Sequence, residues 1–195
     1  MLRYFVLGLL AALSACATPQ PANKTMQPPP IAEIYYLSPL AEITLVTASG
    51  SREPQPDESR MAALNLGDAL SDAVSPNLLD HSDEALTRAL ALSEQIGTLS
   101  EDTAVVATSS GELLALIRVR YDVESSASRL VQGGLGVMFG GVPGPDGIEQ
   151  SAEIILVDPE TSEIVWYHQM TARDPRKPDG AKRLIDGLIT ASSQP

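Results

Sequence analysis

The sequence predicts a single domain of the α/β (α+β) class: a mixed sheet of about five strands flanked by helices, ending in a β-hairpin and a closing helix. Three patterns carry this. Leu113, Ala115, Ile117, Val119, Tyr121 and Val123 share one face of a period-two run that sends Arg118, Arg120 and Asp122 to the other. Helical spacing links Ala62, Leu66, Ala69, Leu70 and Ala73, and again Ala85, Ala89, Leu92 and Ile96. The runs Glu153 to Val157 and Ile164 to Met170 flank a turn-forming segment, Asp158 to Glu163, and should pair as a hairpin.

In chain order, Ile34 to Val46 is rich in Ile, Tyr, Val and Leu but broken at Pro39, which implies a bent strand or an edge position. Ala48 to Pro56 reads as a loop. Asp57 is suited to cap the first helix, which Pro76 ends. The second helix follows Asp80, carries Asp83 and Glu84 where they complement the helix dipole, and stops at Gly97. Thr103 to Ala107 reads as a short apolar strand before the long one at 113–123. Pro178 suits a first helical turn, and Ala181, Leu184, Ile185, Leu188 and Ile189 form the stripe of the closing helix.

The amino-terminal segment is set apart. Arg3 precedes an apolar stretch, Tyr4 to Leu13, that is too short to span about 30 Å of hydrocarbon as a helix. The small residues Leu13, Ser14 and Ala15 then lead to Cys16, a string that looks like a bacterial lipobox. That likeness implies removal of residues 1–15 as a signal peptide, acylation of Cys16, and a membrane partner reached through the lipid anchor. An ordinary secretory leader cleaved after Ala15 or Ala17 is the alternative. Acyl chains contribute about 0.8 kcal/mol per buried methylene, so two or three together anchor a protein stably. Residues 16–32 include Pro19, Pro21 and Pro28 to Pro30 with few apolar side chains, and read as an extended tether. The domain is expected over 33–192, with 193–195 as a tail.

Composition bounds the partners. The chain carries a net charge of -12, which disfavours a polyanion, so nucleic acid is an unfavourable ligand. Cys16 is the one cysteine, so an exported chain has no disulfide within itself and is held by burial.

The lipobox, the tether, Ser38-Pro39-Leu40 and the string Ile155 to Trp166 together resemble small proteobacterial lipoproteins with a TolB-N-terminal-like, CsgG-like α/β domain. Asp174 to Ala181 resembles the lead into the closing helix of such proteins. Where that family's hairpin turn usually has Gly, this chain has Ser162, which carries strain if the position needs a positive φ. The resemblance implies a cell-envelope protein acting in assembly or as an accessory subunit, without inherited catalytic residues. Placement at the outer membrane facing the periplasm is expected because Ala17, rather than Asp, follows Cys16. An oligomeric CsgG-like secretion-channel subunit is the alternative.

The candidate sites are few. Ser125 to Gly141 reads as a helix with unusually dense glycine, and each Gly inside a helix costs up to about 1 kcal/mol relative to Ala. Close packing on its own sheet explains such glycines; the functional reading is contact with an envelope protein, a second copy or the bilayer through Leu130, Gly133, Gly136, Phe139 and Gly140. Gly134, Gly136 and Gly140 lack the strand and acidic partner of a dinucleotide site, so no cofactor is assigned. Gly140 to Gly147 reads as a turn-rich loop. His81 beside Asp80, Asp83 and Glu84 matches no metal spacing and suits a solvated helix start. His168, on a face with Trp166, lacks a nucleophile motif, which Ser109-Ser110-Gly111 does not supply. Arg118 and Arg120 could bind a carboxylate of a partner or a glycan, although internally paired or solvated arginines, Arg129 and Arg173 among them, are the ordinary case. The expectation is a non-enzymatic protein.

Overall fold

The computed structural model describes residues 33–99, 103–105, 111–125 and 148–193. The centre of the fold is the strand with the strongest sequence signal. It runs over Glu112–Glu124 and is long enough that two strands, Glu33–Leu37 (β1) and Leu40–Val46 (β2), lie end to end along one side of it, both parallel to it. The short strands Arg52–Pro54 (β3) and Leu79–Asp80 (β4) pair outside β2 and β1 respectively, so the central strand is β5. On its other side come Gln150–Val157 (β6) and then Ile164–Thr171 (β7), each antiparallel to its neighbour. The result is a mixed seven-stranded sheet.

The split between β1 and β2 explains Pro39. Tyr36 pairs with Ala115 and Leu40 with Arg118, so the bend holds one more residue than the facing stretch of β5. A residue without an N–H is tolerated at such a bulge inside a sheet. The bend is therefore real, and so is the edge position: β4 pairs only with Tyr36 and Leu37 and β3 only with Thr44 to Val46, so among the described residues no strand lies outside Pro39. The strand expected at 103–107 differs too: Thr103 to Val105 are not in a strand, and the remainder lies outside the described residues.

Among the described residues, three α-helices cover the sheet. Pro56–Ala73 (α1) and Pro178–Ser193 (α3) lie on the face formed by Leu113, Ala115, Ile117 and Val119, where Leu66, Leu70, Leu184, Ile185 and Leu188 are fully buried. Each such side chain contributes about 1.5–3 kcal/mol. Asp83–Ile96 (α2) packs Ala85, Ala89 and Leu92 on the opposite face, over Leu114, Leu116, Ile155 and Val157. Two details of α1 depart from expectation. Its N-cap is Gln55, with Pro56 entering the first turn, so Asp57 sits inside the helix as a dipole partner rather than a cap. Ala73 is exposed, since the helix has passed the sheet by its last turn. The second helix is capped by Ser82, whose hydroxyl accepts from the Ala85 N–H at 3.1 Å, and closes on Gly97 at φ +64°.

The hairpin between β6 and β7 forms as expected. Asp158 Oδ1 accepts the backbone N–H groups of Glu160 and Thr161 at 2.8 and 3.2 Å, and the Ser162 N–H returns to the Asp158 carbonyl at 2.8 Å. Ser162 takes φ +60° to close this loop. A side chain in that region costs about 1–2 kcal/mol. Part of this is offset by the larger unfolded-state freedom of glycine. Ser162→Gly should therefore stabilise the protein by about 1 kcal/mol, read as a melting temperature raised by roughly 2–4 °C. An unchanged or lower melting temperature would show that the serine is not strained.

Candidate functional site

Alternation along β5 puts Arg118 and Arg120 on one face, and the structure gives them different lives. Arg118 lies beneath the end of α2. Its Nε donates to Glu153 Oε2 at 2.8 Å, and Nη2 sits 2.7 Å from the same oxygen without hydrogen-bond alignment. Nη1 donates to the carbonyls of Gly97 at 2.6 Å and Ser93 at 3.2 Å. A buried guanidinium thus satisfies the Gly97 carbonyl, adds a second donor to the Ser93 carbonyl that already accepts the Gly97 N–H, and places positive charge at the negative end of the dipole. Both Arg118 and Glu153 are buried, at 4 and 2 % exposure.

Arg120, two residues on, emerges beyond α2 into a polar cleft of about 270 Å³. Its contacts are long: Nη1 to Glu149 Oε1 at 3.3 Å and Nε to Glu42 Oε2 at 3.9 Å. Beside it, the buried Asp122 carboxylate pairs with Arg52 at 2.8 Å and accepts the Glu149 N–H at 2.7 Å. Thr44, Thr98 and Tyr121 complete the lining. The cleft therefore alternates fixed donors and acceptors, with Asp122 and its partners setting the frame.

A second polar cluster joins the closing helix to α1. Asp174 accepts Arg176 Nε at 2.8 Å and Nη2 at 2.9 Å, while Nη1 of the same arginine reaches Glu58 Oε2 at 2.6 Å. Asn65 clamps the Pro175 and Arg176 carbonyls at 3.2 and 2.9 Å. These hydrogen bonds from Arg176, above all, hold the Asp174 carboxyl below its ordinary pKa of 3.8. A depressed carboxylate stabilises the fold above its unfolded pKa, and that contribution is lost as pH falls through the lower folded value. Asp174→Asn should thus cost about 1–2 kcal/mol near neutral pH, after allowing for partial exposure, with the gap to the parent narrowing below about pH 4. Urea titrations across pH measure this; a gap constant into strong acid would contradict it.

The other sequence candidates fall as follows. His81 is exposed, with Nε2 3.3 Å from Ser71 Oγ. Asp80 is held below the usual carboxylate range, first by the Ser82 hydroxyl and then by its backbone N–H, as part of the α2 start. Among the described residues, no three His, Cys, Asp or Glu side chains are grouped to hold a metal ion. His168 stacks on Trp166, with ring centroids 6.1 Å apart and planes 10° from parallel, which agrees with their shared face. Arg173 lines a shallow surface at the start of α3. Leu13, Ser14, Ala15 and Cys16 lie outside the described residues, as do Ser109 and Ser110, Arg129, Leu130, Gly133, Gly136, Phe139 and Gly140. No helix among the described residues is long and apolar enough to cross a membrane.

The signal that could have separated Arg118 from Arg120 was Gly97: a helix stop preceding a strand arginine that needs acceptors. No family model, curated protein or solved structure matches the chain, so the reading of its function rests on these residues alone.

Proposed function

We propose that the protein is a lipid-anchored component of the cell envelope, held at the outer membrane by Cys16 and acting non-enzymatically through contacts made by its periplasmic α/β domain. The observation that carries this is the order Arg3, apolar run, Leu13-Ser14-Ala15-Cys16. The first strand begins at Glu33. The Pro-rich chain between Cys16 and Glu33 would reach about 50 Å at about 3.1 Å per residue. Such a reach suits a domain that meets partners away from the bilayer.

Cells fed radiolabelled palmitate should yield a labelled protein in the outer-membrane fraction, and Cys16→Ser should abolish the label. An unlabelled parent protein, or a labelled one confined to the inner membrane, contradicts the anchor or its placement respectively. Partner contact through residues 129–141 is part of this proposal. Gly136→Leu combined with Gly140→Leu should reduce crosslinked partners or self-association without shifting the melt; unchanged crosslinks sink that contact.

A further inference from the structure

We propose that the cleft around Arg120 binds a neutral, hydroxyl-rich ligand, a single saccharide unit of a glycan, independently of whether Cys16 is acylated. Two neighbouring arginines are unequally satisfied. Arg118 has contacts of 2.6 to 2.8 Å on two of its nitrogens. Arg120 has contacts of 3.3 and 3.9 Å, although its side chain is 23 % exposed and so largely withdrawn from water. Charge-assisted bonds ordinarily close to about 2.7–2.9 Å. A guanidinium offers five donors in a rigid fork, so Arg120 retains donor capacity directed at the cleft.

The charge balance then selects the ligand. Arg120 and Arg52 face Glu42, Asp122 and Glu149 across the same small space. A carboxylate would have to displace Glu42 and Glu149 and enter a protein of net charge -12. A cation would sit beside two guanidiniums and compete with them for the three carboxylates they already pair. A neutral molecule meets neither penalty, and hydroxyl groups both donate and accept, which matches arginine donors interleaved with carboxylate and threonine acceptors. The cleft volume, about 270 Å³, falls just below the roughly 300 Å³ at which sites for drug-sized ligands begin, so it suits one ring rather than an extended chain.

The test is binding of the full mature chain, in detergent, to an immobilised panel of neutral oligosaccharides built from glucose, galactose, mannose and N-acetylglucosamine, with acidic glycans and acidic peptides alongside. At least one neutral glycan should bind, with affinity unchanged between about 0.05 and 0.5 M salt, since no ion pair forms with the ligand. Arg120→Ala should weaken it about tenfold or more, and Arg120→Lys should also weaken it, because the charge remains but the fork is lost. Melting curves of both variants check the fold, and the lysine variant preserves the stem that packs in the sheet. Three results overturn the proposal: no neutral glycan bound above the Arg120→Ala level, binding confined to acidic ligands and falling with salt, or an Arg120→Lys protein that binds like the parent.

Discussion

Arg118→Met should destabilise the protein by about 3–5 kcal/mol, the cost of leaving one partner of a buried ion pair uncompensated. Glu153, at 2 % exposure, would keep its charge beneath α2 without the guanidinium, and the Gly97 carbonyl would lose its donor while that of Ser93 kept only the Gly97 N–H. Glu153→Leu should cost a similar amount from the other side. Combining Arg118→Met with Glu153→Leu should recover most of the loss, because an apolar pair of similar volume carries no desolvation penalty. A deficit of about 1–3 kcal/mol should remain for the carbonyls at the end of α2. Urea unfolding of the three variants reads this directly. If the two single effects simply add in the double variant, the pair is not coupled and Arg118 does not hold α2 in the way described.

Gly180→Ala should be nearly as damaging, at about 3 kcal/mol, read as a melting temperature lowered by roughly 6–12 °C. The first turn of α3 passes so close to the Asp174 carbonyl that a Cβ on Gly180 would overlap its oxygen. That oxygen belongs to a backbone fixed by the Lys177 N–H at 3.3 Å and by the Arg176 bridge to Glu58, so it cannot move without undoing the link between α3 and α1. Gly67, inside α1, provides the control: a Cβ there meets nothing within 4 Å. Gly67→Ala should stabilise by about 0.5–1 kcal/mol through helix propensity. Equal effects at the two glycines would show that the close approach at Asp174 carries no weight.

Periodicity made the long elements legible. The 113–123 alternation, the stripes of α1, α2 and α3, and the hairpin with its strained Ser162 all follow from local pattern, because burial on one face imposes it. β3 and β4 were not legible: they have three and two residues, too few to show a period, and owe their pairing to the strands beside them. Thr103 to Val105 show the reverse, a segment with β-branched Thr103 and Val105 that the sheet does not use. At the cleft, sequence placed Arg118 and Arg120 on one face but could not rank them. Their difference depends on where α2 ends in space, a tertiary fact. Asp122, Glu149 and Arg52 were missed as a unit, since they converge from two strands, β5 and β3, and the loop before β6.

Acylation at Cys16 can be read from the intact mass of the protein purified from envelopes. The predicted result is a chain beginning at Cys16 that carries a thioether-linked diacylglyceryl group and an amide-linked acyl chain. A chain beginning at Cys16 with a free thiol, or at Thr18, would contradict it and leave an ordinary exported protein.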